Sequence, residues 1–287
     1  MQTIERLILP TDSRAPGARL HLKCWAPPGP AKAVVMLIHG YAEHLGRYEH
    51  VAARMTAAGY AVYAVDHWGH GSSDGVPGFV PAFSVYLDGV EALLARVRSD
   101  HPRAPRFLVG HSMGGLIVAS FLLRHPQEFA GAVLSGAAIK PAEAPSAATI
   151  LLSRVLSTLA PRMGVIQLDP TQVSRDAKVV AAYLADPLVY KGRVGARLGA
   201  QMLAAMGDVQ ANAARIALPL LLMHGQCDGL AAPSGSQFLY DRVRSTDKTL
   251  KLYEGLYHEI FNEPEKQAVL DDLVGWLDAH VPARGSR

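Results

Sequence analysis

The sequence predicts an α/β fold, with a mostly parallel central sheet flanked by helices and a helical insertion between two late strands. Apolar runs of strand length alternate along the chain with segments whose apolar residues recur every three or four positions. Several of these runs are apolar at nearly every position, which is typical of strands buried on both faces of a parallel sheet. The long stretch 138–210 is rich in Ala, Leu and Met and contains no strand-like run, so it interrupts the alternation.

The first two predicted strands form an antiparallel edge of the sheet. TIERLIL (3–9) and ARLHLKCWA (18–26) alternate in polarity, which is typical of strands with one exposed face. Buried strands follow, and the pattern resumes after the insertion. These strands cover 33–39, 60–66, 106–111, 131–136, 218–225 and 249–255.

The predicted helices fill the segments between the strands. Apolar residues recur at helical spacing in 47–58, 84–99, 113–124 and 264–279. With 287 residues, of which 49% are hydrophobic, the chain is long enough for one α/β core that carries an insertion. We therefore assign 1–137 and 211–287 to the core and 138–210 to the inserted helices.

The charge balance argues against a nucleic-acid partner. Lys and Arg number 28 and Asp and Glu number 25, which gives a net charge of +3, and no basic run is interleaved with aromatic residues.

Cys24 and Cys227 show no metal or disulfide spacing, which fits a reduced cytoplasmic protein. The N-terminus carries charges where a signal peptide needs an apolar core, and no run reaches the roughly 18 apolar residues of a membrane span.

Residues 110–114 read GHSMG, a G-x-S-x-G motif at the point where a predicted strand becomes a predicted helix. In such a nucleophile elbow the serine has a strained backbone, and glycines flank it because a Cβ there would collide with neighbouring chain. A second match, GSSDG at 71–75, follows no strand, and Pro77 and Pro81 prevent a helix after it. We therefore predict Ser112 as a nucleophile and Ser73 as a loop residue.

The elbow predicts an acid and then a histidine later in the chain, because a serine hydroxyl needs a base to remove its proton. Asp228, in HGQCDGL, is the only carboxylate between 209 and 240 and follows a predicted strand. His258 follows the last predicted strand, whereas the other late histidine, His280, lies near the end of the chain. We predict that Asp228 orients His258 and that His258 is the base, although Asp-Gly is also a common turn dipeptide.

Backbone amides are predicted to stabilise the negative oxygen of a tetrahedral intermediate. The amide of Met113 is one donor, because it lies at a helix N-terminus, where free N–H groups favour an anion. The second donor is predicted in the loop after the strand at 33–39. His39 and Gly40 let this loop turn beside the elbow, which leaves Ala42 as the donor.

Five segments follow one another along the chain in the order HGYAEHLGRYEHVA, DHWGHGSSDG, GHSMGG, HGQCDGL and YHEIFNEPE. Together they resemble the monoacylglycerol lipases of the serine α/β-hydrolase superfamily, particularly the bacterial ones. The resemblance covers almost the whole chain and is most specific at HGxxEHxxRY. It implies the α/β-hydrolase fold, with Ser112, Asp228 and His258 as the catalytic triad and the amides of Ala42 and Met113 as the oxyanion hole. One departure is Trp68, where the family often has arginine.

The resemblance also implies a function and a role for the insertion. The chain is expected to cleave monoacylglycerols to glycerol and free fatty acid through an acyl-enzyme, without a metal or organic cofactor. Residues 138–210 are then a cap, or lid, over the active site. A broader carboxylesterase, a lysophospholipase or a thioesterase of the same fold remains open, as does a non-catalytic ligand-binding protein.

The residues of the cap suggest contact with lipid. Met163, Met202 and Met206 are flexible, polarizable side chains that could line an apolar tunnel for an acyl chain, or could only seal the cap onto the core. Apolar pairs at 151–156 predict peripheral contact with membranes or micelles. The sequence leaves the oligomeric state open.

Overall fold

The computed structural model of the chain describes residues 2–125, 127–143 and 146–282. Residues 1, 126, 144–145 and 283–287, which the predicted core and insertion include, lie outside the described residues. The strands are β1 (Gln2–Ile8), β2 (Arg19–Trp25), β3 (Ala33–Ile38), β4 (Tyr60–Val65), β5 (Arg106–His111), β6 (Gly131–Ser135), β7 (Gly164–Ile166), β8 (Val194–Gly195), β9 (Leu220–Gly225) and β10 (Lys248–Tyr253). The α-helices are α1 (Glu49–Ala57), α2 (Ser84–Asp100), α3 (Met113–Leu122), α4 (Ala147–Leu159), α5 (Ala177–Ala185), α6 (Ala196–Asn212), α7 (Pro233–Arg242) and α8 (Lys266–Ala279).

Eight strands form one sheet in the order β1-β2-β4-β3-β5-β6-β9-β10. β2 pairs antiparallel with both β1 and β4, and the remaining neighbours are parallel. The predicted fold class is therefore confirmed, including the antiparallel edge. Because the inner strands run parallel, their carboxyl ends meet at one edge of the sheet, where the loops that carry Ser112, Asp228 and His258 begin.

Helices cover both faces of the sheet, which explains why the inner strands are apolar throughout. Along β3, Val34, Met36 and Ile38 belong to one hydrophobic cluster, together with residues of α2 and α3. The alternate residues, Val35 and Leu37, belong to a second cluster with residues of α1 and α8. Every residue of this strand is buried, so a run without polar alternation is required.

The inserted segment leaves the sheet after β6 and returns at β9, which is the neighbour of β6. It contains α4, α5 and α6, as expected for inserted helices. It also contains a small antiparallel ribbon of β7 and β8, and this corrects the expectation that the insertion has no strand. The two strands have three and two residues, too few to produce a recognisable polarity pattern.

The exposure of the methionines in the inserted segment differs sharply along the chain. Met206 is buried in the larger hydrophobic cluster and Met202 packs against it, so these two methionines join α6 to the core. Met163, by contrast, is 44% exposed. Among the residues that the structure describes, no helix is long and apolar enough to cross a membrane.

Candidate active site

Ser112 occupies a sharp turn between β5 and α3. Its φ of +55° and ψ of −121° lie outside the regions that side-chain-bearing residues usually adopt. A Cβ at Gly110 would lie 2.5 Å from the carbonyl oxygen of Gly114, and a Cβ at Gly114 would lie 2.1 Å from that of Ile38. The two glycines are therefore required by close backbone contacts, as the elbow motif predicts.

The structure brings the three predicted side chains together from distant parts of the chain. His258 Nε2 lies 2.8 Å from Ser112 Oγ, and His258 Nδ1 lies 2.6 Å from Asp228 Oδ2. Asp228 and His258 are buried. The imidazole thus connects a hydroxyl to a carboxylate in one hydrogen-bonded chain.

Asp228 is held by more donors than the sequence predicts. Its Oδ1 accepts hydrogen bonds from the amides of Leu230 (2.8 Å) and Ala231 (2.9 Å). His224 Nε2, which sequence analysis missed, lies 3.0 Å from Oδ2 of the same carboxylate. The other ring nitrogen of His224 lies 2.7 Å from Ser236 Oγ, so both of its ring nitrogens are engaged. The only signal in the sequence was its place at the end of β9, four residues before Asp228.

The environment sets the charges of the pair. Burial disfavours the imidazolium of His258, but the neighbouring Asp228 carboxylate outweighs burial and raises the pKa of His258 above its usual 6.5. Burial also penalises the Asp228 carboxylate, but the charge and hydrogen bonds of His258 and His224 lower its pKa well below the usual range. Asp228 is therefore ionised at neutral pH, and it can stabilise a positive charge on His258.

A second histidine lies beside the base without competing for its proton. The rings of His111 and His258 are 4.7 Å apart between centroids. Burial, followed by the proximity of His258, lowers the pKa of His111 well below its usual value. His111 therefore stays neutral, and adds no charge that would oppose protonation of His258.

The loop after β3 lies directly against the elbow. A Cβ at Gly40 would lie 3.1 Å from Ser112 Cβ, so the loop approaches the serine at a position that has no side chain. Ala42, the predicted donor, has a φ of +66°, which is rare for a residue other than glycine. Within the described part of the chain, neither its amide nor that of Tyr41 has an acceptor. The loop therefore has two amides without an acceptor, in the two residues that follow Gly40.

Met113, the other predicted donor, is the first residue of α3. The first amides of a helix have no acceptor within it, and the helix dipole favours an anion there. The structure thus places the Met113 amide directly after Ser112, at the start of α3, and the role of the two amides as an oxyanion hole stays a prediction.

The second G-x-S-x-G match forms part of a loop, as predicted. Ser73 Oγ donates to the carbonyl of Asp66 (2.5 Å) and accepts from the amide of His21 (2.8 Å). It joins a turn to β2, and among the described residues no imidazole is hydrogen-bonded to its hydroxyl. In the described part of the chain, no group of three His, Cys, Asp or Glu residues is arranged to hold a metal ion.

Comparison with known proteins assigns the chain to a family. The model of the family described as serine aminopeptidase S33 matches residues 29–265. A monoacylglycerol lipase of Mycolicibacterium smegmatis is 44% identical over 265 residues, which cover 92% of this chain and 95% of that protein. A monoglyceride lipase of Mus musculus is 35% identical over 281 residues, which cover 97% of this chain and 93% of that protein.

A solved structure agrees with both sequence matches. The crystal structure of the monoacylglycerol lipase of Paleococcus ferrophilus has a TM-score of 0.83 and 31% identity to this chain, and the match covers 91% of this chain and 99% of that one. The family match extends from before β3 to beyond His258, so it includes Ser112, Asp228 and His258. The chain therefore belongs to the serine aminopeptidase S33 family of α/β-hydrolases and, within it, to the monoacylglycerol lipases.

Proposed function

We propose that this chain hydrolyses monoacylglycerols to glycerol and free fatty acid, with Ser112, His258 and Asp228 as the catalytic triad. The observation that carries the proposal is the continuous chain of hydrogen bonds from Ser112 Oγ through His258 to Asp228 Oδ2. The likeness to monoacylglycerol lipases supports a lipid ester as substrate.

Acylation follows from this geometry. His258 Nε2 takes the hydroxyl proton while Ser112 Oγ forms a bond to the ester carbonyl carbon, and the carbonyl oxygen becomes negative. The amides of Met113 and of the loop that carries Ala42 donate to that oxygen. The imidazolium is stabilised by Asp228. It then gives its proton to the glycerol oxygen as the carbon–oxygen bond breaks.

Deacylation repeats these steps with water. His258, neutral again, removes a proton from a water molecule, and the resulting bond between water oxygen and acyl carbon forms a second tetrahedral intermediate. Collapse of this intermediate returns the proton from His258 to Ser112 Oγ and releases the fatty acid. No residue changes its net charge over the cycle.

The two G-x-S-x-G motifs provide a matched test of the nucleophile. Ser112→Ala should lower the release of glycerol from 1-monooleoylglycerol by about 10⁶-fold, whereas Ser73→Ala should retain more than a tenth of the parent activity. Labelling by a fluorophosphonate should disappear in Ser112→Ala and persist in Ser73→Ala. A Ser112→Ala protein that is folded by circular dichroism and keeps most of its activity would refute the assignment.

We also propose that residues 138–210 act as a cap that touches the active-site loops. The amide of Tyr190 donates to the carbonyl of Ala42 (2.8 Å), and His44 Nε2 lies 2.9 Å from Asp186 Oδ2. Two residues of the inserted segment therefore hold the loop that lies against Ser112.

The cap is further proposed to contact lipid surfaces. On α4, Leu151 is 63% exposed and Leu159 is 78% exposed, and Leu152 and Val155 are also exposed. These residues recur at intervals that place them on one side of the helix. Such a contiguous apolar surface is typical of a site that contacts membranes or other proteins.

A further inference from the structure

The segment between β3 and α1, residues 39–48, contains a buried arginine that the mechanism does not use. Arg47 donates from Nη1 to Glu259 Oε1 (2.5 Å) and from Nη2 to Glu259 Oε2 (2.7 Å), which is a bidentate pair. The same Nη1 lies 3.0 Å from Glu43 Oε2. All three side chains are at most 10% exposed, so water screens these charges little.

One end of this network fixes the loop beside Ser112. Glu43 Oε1 accepts hydrogen bonds from the amide of Gly40 and from the hydroxyl of Tyr48, each at 2.6 Å. A Cβ at Gly40 would lie 3.1 Å from Ser112 Cβ, so this residue of the loop is adjacent to the serine. The position of the Glu43 carboxylate therefore determines how the loop is placed against the elbow.

The other end fixes the base. Glu259 is the residue after His258, and its amide donates to the carbonyl of Val173 (2.8 Å) in the inserted segment. Glu259 Oε2 also accepts from Asn262 Nδ2 (2.9 Å). The backbone that carries His258 is thus held on one side by the guanidinium of Arg47 and on the other by the cap.

The cap covers the guanidinium itself. The guanidinium carbon of Arg47 lies 4.7 Å from the centroid of the Tyr183 ring, on α5, which is a cation–π contact. One planar cation therefore touches three separate parts of the chain. They are the loop beside Ser112, the segment that carries His258, and the cap.

We propose that Arg47 is a positioning residue, which holds the Gly40–Ala42 loop and His258 in the arrangement that ester hydrolysis requires. Its fork of N–H groups suits this task, because the planar guanidinium fixes two carboxylates in both distance and orientation. Lysine, a single point charge, cannot make the bidentate pair with Glu259 and the bond to Glu43 together. The proposal rests on the proposed esterase function.

The test uses Arg47→Lys, Arg47→Met and Glu259→Gln in the full chain. Arg54→Lys and Arg54→Met are matched controls, because Arg54 forms its ion pair with Asp271 (3.0 Å) among partly exposed side chains of the surface. The substrate is p-nitrophenyl acetate, whose short acyl group gives the cap little to bind. The rate of fluorophosphonate labelling reports the reactivity of Ser112 independently of any leaving alcohol.

We expect Arg47→Lys and Glu259→Gln to lower kcat about 10- to 100-fold, since small displacements of reacting groups cost rates of this order. KM should change less than about three-fold, the labelling rate should fall in parallel, and both Arg54 variants should stay within about two-fold of the parent. Circular dichroism and thermal melts establish that each variant is folded. Glu259→Gln keeps the size and shape of the side chain, so it decides the matter if Arg47→Met does not fold.

Three results would overturn the proposal. The first is a kcat within two-fold of the parent in both Arg47→Lys and Glu259→Gln. The second is parent activity in Arg47→Lys alone. The third is a raised KM with unchanged kcat in these variants, which would assign Arg47 to substrate binding. Failure of the proposed function is distinguishable, because it would show as an inactive parent and no loss in Ser112→Ala.

Discussion

Asp228 shows at the scale of one residue how the environment tunes the proposed base. Its carboxylate accepts four hydrogen bonds, two from backbone amides and two from imidazoles. The amides hold one oxygen while the other faces His258, so the side chain is fixed in orientation as well as in charge. The orientation of the Asp228 carboxylate therefore depends on His224 and on the turn after β9 as well as on His258.

Asp228→Asn should change the pH dependence of the reaction in a definite direction. In the parent the carboxylate raises the pKa of His258 against the effect of burial, so the acid limb of kcat/KM should lie above pH 6.5. Without the carboxylate, burial remains as the main influence and lowers that pKa. The acid limb of the residual activity should then move to lower pH, while kcat falls about 10⁴-fold.

The measurement is kcat/KM for p-nitrophenyl butyrate between pH 4.5 and 9 in both proteins, at conditions where circular dichroism shows each to be folded. Asp241→Asn is a suitable control, because this residue lies in α7 and is exposed. An acid limb that stays in place or moves upward in Asp228→Asn would contradict the assignment of Asp228 as the group that raises the pKa of His258.

At the scale of elements, the long buried strands and the helices beside them could be read from the sequence, because burial on both faces produces an unbroken apolar run. The β7–β8 ribbon could not be predicted, since Gly164–Ile166 and Val194–Gly195 are too short for a pattern and pair across an intervening segment that contains α5. The helical spacing also predicts a start at 47, whereas α1 begins at Glu49. Residues Leu45–Tyr48 form a 3-10 turn, which has similar local spacing.

Two helices of the chain should respond oppositely to the same substitution. Gly114 lies at the start of α3, where a Cβ would meet the backbone oxygens of Ile38 and His39 at 2.1 and 2.5 Å. Gly207 lies on α6, is exposed, and has nothing within 4 Å of the position that a Cβ would occupy. Alanine relieves the entropic cost of glycine in a helix only where there is space for the methyl group.

Gly207→Ala should therefore stabilise the protein by about 0.5–1 kcal/mol and raise Tm by about 1–3 °C. Gly114→Ala should destabilise the protein by about 1–3 kcal/mol or more, because neither the central strand β3 nor the elbow can shift to make room for the methyl group. The same substitution should abolish fluorophosphonate labelling. Thermal melts and labelling measure both effects. A Gly114→Ala protein with parent activity would show that α3 does not pack closely against β3.

At the scale of the whole molecule, the sequence predicts the architecture. It also predicts that Ser112, Asp228 and His258 lie in one site, because their order along the chain and the ends of the parallel strands constrain their positions. It did not predict the shared arginine network or His224. The pair of Arg47 and Glu259 joins residues 212 positions apart, and the contact of His224 with Asp228 depends on the rotation of one side chain. Neither leaves a periodic signal in the sequence.

Charge is distributed unevenly over the molecule. Within 138–210 there are eight Lys or Arg residues and five Asp or Glu residues, so this segment carries the whole net charge of +3 while the rest of the chain is balanced. The exposed apolar side of α4 belongs to the same segment. An apolar surface accompanied by excess cations fits an anionic lipid surface, where each Lys or Arg near the membrane contributes about 1 kcal/mol.

Binding to vesicles should therefore depend on both features. The protein should co-sediment more with phosphatidylcholine vesicles that contain phosphatidylglycerol than with pure phosphatidylcholine vesicles, and 0.5 M salt should reduce the difference because it screens the charges.

The double variant Leu151→Asp, Leu152→Asp should bind weakly to both kinds of vesicle, since it removes apolar area that would be buried in lipid. Leu252→Asp, on β10 and 39% exposed, is the matched control and should bind as the parent does. Equal partitioning of the parent and the double variant would exclude α4 as the contact, and indifference to lipid charge and to salt would exclude the electrostatic contribution.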